Sequence, residues 1–244
     1  MTDGNSGRIS FDDLKLETIS FEARFEPSYL IWDKAGAIWS EVLKFFPELK
    51  MRQAEPHHTV FGLSEGHELQ VVVQSSSIAI TAILPDKKLE VFSDITEHVM
   101  DSCARHLLIS EYSRLGLRAS FIKEFDTPAA AADAVISTGY VRAPTQQEFG
   151  VSSSPIGVEY SIRREDGKNG YVLWLKAQSI KIEAEPAFGL GPYMKPIHEM
   201  RHKLSLEVDS YLMARASVSQ IRFTDWIAQT YHIIRRDGSR LLEG

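Results

Sequence analysis

The chain has 244 residues, of which 43% are apolar and 25% charged, and its formal net charge is −6 at pH 7. This composition is typical of a folded globular protein and excludes a disordered, collagen-like or coiled-coil chain. Its longest nearly unbroken apolar stretch, residues 78–84, is far shorter than the roughly 20 residues of a membrane-spanning helix, so we expect no membrane contact. The first 13 residues lack the apolar stretch of a secretory signal, and the single cysteine, Cys103, fits a reducing compartment. We therefore expect a soluble, cytoplasmic protein.

The first half of the chain predicts a strand, a helix, four short strands and a long closing helix. Apolar and polar residues alternate in each predicted strand, which is the pattern of a strand with one buried face. The first helix lies between Pro27 and Pro47 and is expected to be capped by Asp33; the closing helix begins at Ser93 or Asp94. The predicted strands are residues 19–25, 58–63, 69–73, 75–84 and 89–92.

The second half predicts the same order of elements. Thr127 and Pro128 open an alanine-rich helix, because threonine caps a helix and proline is tolerated at its first position. A long loop at 139–157 is expected either to bind a partner or to be poorly ordered. A turn at 165–170 predicts a hairpin, and Ser217 or Ser219 is expected to start the last helix. The predicted strands are residues 117–125, 158–162, 171–177, 180–184 and 204–212.

The two series of elements predict an internally duplicated α+β protein. Each half has the order β-α-β-β-β-β-α and is expected to form a curved antiparallel sheet that packs its inner face on a long helix. The two closing helices begin alike, with FSDI at 92–95 and FTDW at 223–226. We expect a polar tail at 1–15, a first half at 16–114 and a second half at 115–244, which together form one compact unit. In topology alone, this order is similar to the saddle of the TATA-box-binding protein.

Three segments carry a resemblance to known sequences: ETISFEARFEP at 17–27, RLGLR at 114–118, and LSLEVDSYL at 204–212 followed by an amphipathic helix. They resemble a sporadically distributed family of uncharacterised prokaryotic proteins. The resemblance implies a prokaryotic cytoplasmic protein that is an accessory part of a mobile-element or defence gene set. It implies no functional residue, because the family has no established activity.

One segment, HEMRH at 198–202, has the spacing H-E-x-x-H. On a helix, His198 and His202 would share one face and bind Zn²⁺, with Glu199 as the base that activates the metal-bound water. Two prolines before the segment and the strand pattern of residues 204–212 after it leave barely a turn and a half for such a helix. We therefore expect a polar loop that enters a strand, and a zinc-dependent hydrolase is the alternative.

The other side chains capable of chemistry form no recognisable site in the sequence. His57 and His58 point to opposite faces of an extended chain, while His98 and His106 are eight residues apart on one helix. Cys103 lies on the apolar face of that helix and is expected to be a buried core residue. We therefore expect no catalytic residue, no metal ligand and no cofactor.

The charge distribution favours protein partners over nucleic acid. The acidic excess lies in the first hundred residues, whereas proteins that bind phosphate backbones generally carry a basic domain. A local basic patch near the end of the chain is the alternative, and we expect it to be a solvated cationic helix face. Its arginines are Arg215, Arg222, Arg235, Arg236 and Arg240.

The leading hypothesis is a non-catalytic binding module that engages a protein partner or forms a homo-oligomer. Aromatic residues such as Trp174 and Trp226 are expected to contribute to a partner surface if they lie on an exposed face. The alternatives are the zinc-dependent hydrolase of His198, Glu199 and His202, and a saddle that binds nucleic acid.

Overall fold

The computed structural model describes residues 9–55, 58–63, 69–83, 89–142, 155–184 and 197–243. The helices are α1 (Ile31–Phe45), α2 (Leu89–Leu107), α3 (Pro128–Ile136) and α4 (Phe223–Glu243). The strands are β1 (Lys15–Phe25), β2 (Leu49–Glu55), β3 (His58–Leu63), β4 (Leu69–Gln74), β5 (Ser77–Ile83), β6 (Glu111–Phe125), β7 (Val158–Glu165), β8 (Asn169–Ala184), β9 (Ile197–Leu212) and β10 (Ala216–Ser217). Short 3₁₀ turns lie at Phe11–Asp13 and Val218–Gln220.

The strands form one antiparallel sheet in the order β2-β3-β4-β5-β1-β6-β9-β8-β7, with β10 paired to β6. The two halves therefore meet at the β1–β6 pair and share a continuous sheet. This arrangement confirms the predicted α+β class.

Each half of the sheet has a row of buried residues across three neighbouring strands. In the first half, Val71, Ile80 and Phe21 lie side by side across β4, β5 and β1. In the second half, a matching row across β8, β9 and β6 is formed by Leu175, Leu206 and Phe121. All six side chains are buried. Three neighbouring strands in each half thus place apolar residues against the core, as the predicted duplication requires.

In the first half, one predicted strand was wrong and one strand was not predicted, although four strands follow α1 as expected. Residues 89–92 form the first turn of α2, because Phe92, Ile95 and Val99 recur at helical spacing and are buried on one side. The strand β2, which we did not predict, lies at the edge of the sheet. Every β2 residue after Leu49 is exposed, so its sequence carries no alternating pattern.

The second half has fewer long strands than predicted. Residues 180–184 do not form a separate strand but continue β8, which is 16 residues long. Among the residues that the structure describes, three strands therefore follow α3, together with the two-residue β10. Of the predicted loop at 139–157, residues 143–154 lie outside the described residues.

The helix ends partly match the predictions. The hydroxyl of Thr127 accepts the N–H of Ala130 at 3.2 Å and caps α3 as expected. In contrast, Asp33 lies inside the first turn of α1, which begins at Ile31 without a side-chain cap. The last helix begins at Phe223, after Ser217 and Ser219, and the carboxylate of Glu97 on α2 accepts the N–H of Thr224 at 2.8 Å. The start of α4 is therefore stabilised from a neighbouring helix.

The long helix α4 packs closely on the middle of the sheet. The ring of Phe223 meets those of Phe21 and Tyr112 edge to face, with centroids 5.6 and 5.7 Å apart. Near the other end of α4, Gly238 faces Phe11 and Leu206, and a Cβ at this position would lie 2.7 Å from the Phe11 ring. Gly238 therefore allows a close approach between helix and sheet.

In the first half, α1 is fastened to α2 by a carboxylate. Glu41 of α1 pairs with Arg105, contacts the His106 ring nitrogen Nε2 at 2.8 Å and accepts a hydrogen bond from Ser102 at 3.2 Å. The side chain of Glu41 is 19% exposed. Ion pairs of this kind are weakened less by water than fully exposed ones.

We predict that Gly238→Ala and Gly36→Ala change stability in opposite directions. The first places a methyl group against Phe11 and Leu206, and we expect a loss of about 1–2 kcal/mol despite the better helix propensity of alanine. The second lies in α1 with no atom within 4 Å of its Cβ position, and we expect a gain of up to about 1 kcal/mol. Urea unfolding of both variants measures this difference, and changes of the same sign would contradict the close approach at Gly238.

We also predict that Glu41→Gln makes stability less dependent on acid pH. The hydrogen bond from Arg105, with those from His106 and Ser102, lowers the pKa of Glu41 below its ordinary 4.5. A carboxyl whose pKa is lowered on folding stabilises the native state above its unfolded pKa, and this contribution is lost as pH falls through the native value. We expect the variant to be about 1 kcal/mol less stable than wild type at pH 7 and closer to it at pH 3. Urea titrations between pH 3 and pH 7 measure the difference in free energy of unfolding between wild type and variant. A difference that stays constant over this range would contradict the prediction.

Candidate functional site

The strands carry a polar face on the side opposite the buried core rows, with Arg114 at its centre. The guanidinium of Arg114 bridges Glu22 at 3.3 Å and Asp209 at 3.0 Å and lies over the ring of Tyr211, 4.8 Å from its centroid. The side chain of Arg114 is only 16% exposed. Burial raises the pKa of the Asp209 carboxyl above its usual range, and Arg114 opposes that rise. This group of side chains fastens β1, β6 and β9 together.

The same face continues towards β8 with further paired charges. Arg118 pairs with Glu207 and lies 5.2 Å from the ring of Trp174, and Lys176 is 5.8 Å from the same ring. At the β1 side, Lys203 pairs with Glu17 at 2.8 Å. These cations already have carboxylate partners, whereas binding of a phosphate backbone depends on Lys and Arg that displace counterions.

The basic patch suggested near the end of the chain is paired in the same way. Its five arginines contact carboxylates within 4 Å, as expected for a solvated helix face. The pairs are Arg215–Glu111, Arg222–Asp225, Arg235–Asp12, Arg236–Asp237 and Arg240–Asp237.

The H-E-x-x-H segment lies in β9, where its residues are extended rather than helical. At about 3.3 Å per residue, positions 198 and 202 are about 13 Å apart along the strand, and Glu199 is on the face opposite to that of His202. The carboxylate of Glu199 pairs with Arg201 at 3.1 Å, and the Nδ1 atom of His202 contacts the Ser179 hydroxyl at 2.8 Å. The helical arrangement on which the zinc hypothesis depends is therefore not formed.

Three of the other candidate side chains, those of His98, His106 and Cys103, lie in structural positions, and His57 lies outside the described residues. The ring of His98 contacts Phe45 and Phe46, and His106 contacts Glu41. Cys103 is fully buried, and burial raises the pKa of its thiol well above the usual range. Within the described ranges, no three His, Cys, Asp or Glu side chains lie close enough together to hold a metal ion.

A long groove runs between α4 and the inner face of β7, β8 and β9, and we call it the α4 groove. It consists of two adjoining cavities of about 500 and 300 Å³. Both cavities are lined by Arg164, Tyr171, Ser210 and Ile233. The larger also has Trp226, Gln229 and Thr230 in its wall, and the smaller Tyr140, Tyr160, Ile162, Leu173, Asp237 and Leu241.

Apolar and aromatic side chains in the α4 groove are open to solvent. Ile233 on α4 is 43% exposed, and Tyr140, just after α3, is 44% exposed and stacks on Tyr160 with ring centroids 5.2 Å apart. A preformed surface of this kind, apolar in its floor and polar at its edges, is typical of a recognition site.

The carboxylates beside the groove are held in their ionised form. Bidentate contact with Arg236 lowers the pKa of Asp237. The hydrogen bond from Tyr211, with that from Arg163, lowers the pKa of Glu165, and the backbone N–H groups of Asn169 and Lys168 lower that of Asp166. A general acid or base works best with a pKa near the operating pH, so these shifts favour recognition over proton transfer.

Comparison with known proteins gives no assignment: no protein-family model matches the chain, and no curated protein is similar to it in sequence. None of the helices in the described ranges is long and apolar enough to cross a membrane.

Of the aromatic residues singled out in the sequence, Trp226 lines the α4 groove and Trp174 lies on the polar face. Sequence reasoning missed Tyr140, Tyr160 and Ile233. A tyrosine in a strand and an isoleucine in a helix are ordinary core residues by pattern. The alternation of residues 158–162 does place Tyr160 and Ile162 on one side, but it does not show that α4 leaves them partly uncovered.

We predict that Arg114→Ala destabilises the protein more than Arg118→Ala. Loss of Arg114 leaves Asp209 without its hydrogen-bonded cation in a half-buried position, whereas Glu22 keeps its ion pair with Arg24. We expect a loss of about 2–3 kcal/mol. The side chain of Arg118 is 52% exposed, so we expect its loss to be below about 1 kcal/mol. Urea unfolding at pH 7 compares the two, and equal losses would contradict a central role for Arg114.

Proposed function

We propose that this protein is a non-catalytic binding module that engages a protein partner or a second copy of itself through the α4 groove. The observation that carries the proposal is the exposure of Ile233 in a groove already walled by tyrosines and by Trp226. A large aliphatic side chain that is 43% exposed lies here beside aromatic rings. When a partner covers it, apolar surface is removed from water, and this stabilises the complex.

The shape of the groove supports a polypeptide occupant. Its α4 wall extends from Trp226 to Leu241, which is about 22 Å at 1.5 Å per helical residue. Aromatic residues in the wall and charged residues at the edge, here Arg164 and Asp237, resemble the apolar centre and polar rim of protein interfaces.

The other hypotheses have less support. The zinc-dependent hydrolase requires His198 and His202 on one helical face, and both lie in β9. The saddle for nucleic acid requires cations available to phosphates, and Arg114, Arg118 and Lys203 are engaged by carboxylates. The wider setting that we propose, an accessory part of a prokaryotic defence or mobile-element gene set, is supported by the sequence resemblance alone.

The proposed function predicts that a photo-reactive residue in the groove captures a protein. Benzoylphenylalanine is introduced at position 233 of the full chain, and at position 91 as a control, because Val91 is an aliphatic residue of α2 with 38% exposure. After irradiation in the source cells, we expect a discrete cross-linked species at position 233 and none at position 91. Mass spectrometry then identifies the captured chain and the cross-linked residue.

A chain that gives no adduct at position 233, or the same adducts at both positions, would contradict the proposal. The melting temperature of each labelled protein shows that it remains folded. An adduct between two copies of this chain would identify self-association as the function of the groove.

A further inference from the structure

The internal duplication indicates what kind of element the α4 groove accepts. The sequences FSDI at 92–95 and FTDW at 223–226 align α2 with α4 at a constant offset of 131 residues. The burial of the two helices supports this alignment. The buried positions Phe223, Ile227, Thr230, Ile234 and Gly238 of α4 correspond to Phe92, Thr96, Val99, Cys103 and Leu107 of α2, and all of these are buried too.

Under this alignment, the groove lies where α1 lies in the first half. The helix α1 covers α2 through contacts to His98, Ser102, Arg105 and His106. Their counterparts on α4 are Gln229, Ile233, Arg236 and Asp237, and three of the four line the groove.

At one matched pair of positions, α2 has a buried polar residue and α4 has an exposed apolar residue. On α2, the polar Ser102 is 1% exposed because α1 covers it, with Glu41 as its hydrogen-bond partner. On α4, the matched residue is the apolar Ile233, and it is 43% exposed. An isoleucine is better suited than a serine to a covered position, so the pattern at Ile233 is that of a site completed by another element.

The second half has a helix at the position of α1, but it is too short to fill this space. The helix α3 has nine residues against fifteen in α1, which is about 13 Å against about 22 Å. It packs on β8 and β9, and the turn after it brings Tyr140 to the end of the groove. With the starts of the two helices matched, the six additional residues of α1 are 40–45, which include Glu41 and Phe45, the latter beside His98.

We propose that the α4 groove receives an amphipathic helix of a partner protein, which lies antiparallel to α4 as α1 lies antiparallel to α2. The antiparallel direction follows from α1, where Glu41 contacts residues 102–106 and Phe45 contacts residue 98. The partner helix carries aliphatic or aromatic side chains about one turn apart, which cover Ile233 and the neighbouring Gln229. This inference rests on the proposed function, since it specifies the occupant of the same groove.

Two peptide libraries displayed on phage test the inference. Both encode 16-residue peptides of the same composition, one with apolar residues at helical spacing and the other with apolar and polar residues in alternation. Selection is made against the full chain, and binding of each enriched peptide is measured to wild type, Ile233→Arg and Val91→Arg. We expect binders from the helical library whose affinity falls about tenfold or more with Ile233→Arg and is unchanged with Val91→Arg. Their helicity by circular dichroism should increase on binding, and a central proline should abolish binding.

The outcomes separate the inference from the proposed function. If the Ile233-dependent binders come from the alternating library, the groove binds an extended segment; the inference is then wrong while the proposed function stands. If neither library gives an Ile233-dependent binder, the inference is again wrong, and the cross-link at position 233 decides the proposed function by itself. A cross-link at position 233 to a second copy of this chain would also overturn the inference, because the occupant would not come from a different protein. The proposed function would stand, since it includes self-association.

Discussion

The antiparallel pairing of β1 with β6 determines which side of every strand faces the helices. Its register brings Phe21 beside Leu117 and Ala23 beside Leu115, so the buried residues of both halves lie on one face of a continuous sheet. A shift of one residue would turn each of these side chains to the opposite face. The alternate positions of the same strands carry Glu22 and Arg114, whose pairing depends on the same register. Core and polar face are therefore two consequences of one strand pairing.

Duplicated halves that share a sheet need not remain equivalent, and the asymmetry here lies in the second element of each half. The helix α1 is long enough to reach along α2, and Glu41 holds it there with three hydrogen-bonding groups. The shorter α3 covers β8 and β9 but leaves part of α4 beside an open groove. A difference of about two helical turns thus separates a position that is packed internally in the first half from one that is open in the second, and this open position is the surface that we propose for recognition. The substitution of Ile233 at the place of Ser102 matches that change, because burial against a partner favours an apolar side chain.

The sequence predicts the strands of this fold well where one face is buried, and poorly where that condition fails. The alternation of residues 19–25 is clear because every second side chain enters the core, whereas the edge strand β2 is exposed after Leu49 and has no pattern to detect. Residues 89–92 are too few for their periodicity to distinguish a strand from a helix. They are helical because the helical spacing of apolar residues continues after them. The H-E-x-x-H spacing is equally ambiguous, since residues four apart share a face in a helix and also in a strand. The groove could not be predicted at all, because it depends on how far α3 extends beside α4, and this distance is fixed by tertiary packing.

The helix α4, which forms one wall of the groove, is fixed by contacts at both ends, and this lowers the cost of binding a partner. At the start of α4, the Phe223 ring packs against Phe21 and Tyr112. The Thr224 N–H also donates a hydrogen bond to the Glu97 carboxylate. At its far end, the absence of a side chain at Gly238 lets the helix lie against Phe11 and the sheet. When a binding surface is flexible, ordering it on binding costs free energy and weakens the affinity. A helix that is already fixed at both ends avoids most of that cost. Because Ile233 lies between the two fixed ends, its exposure results from a rigid arrangement of the helix and sheet. The molecule therefore keeps an apolar side chain open to water at a position where a partner can cover it without rearranging α4.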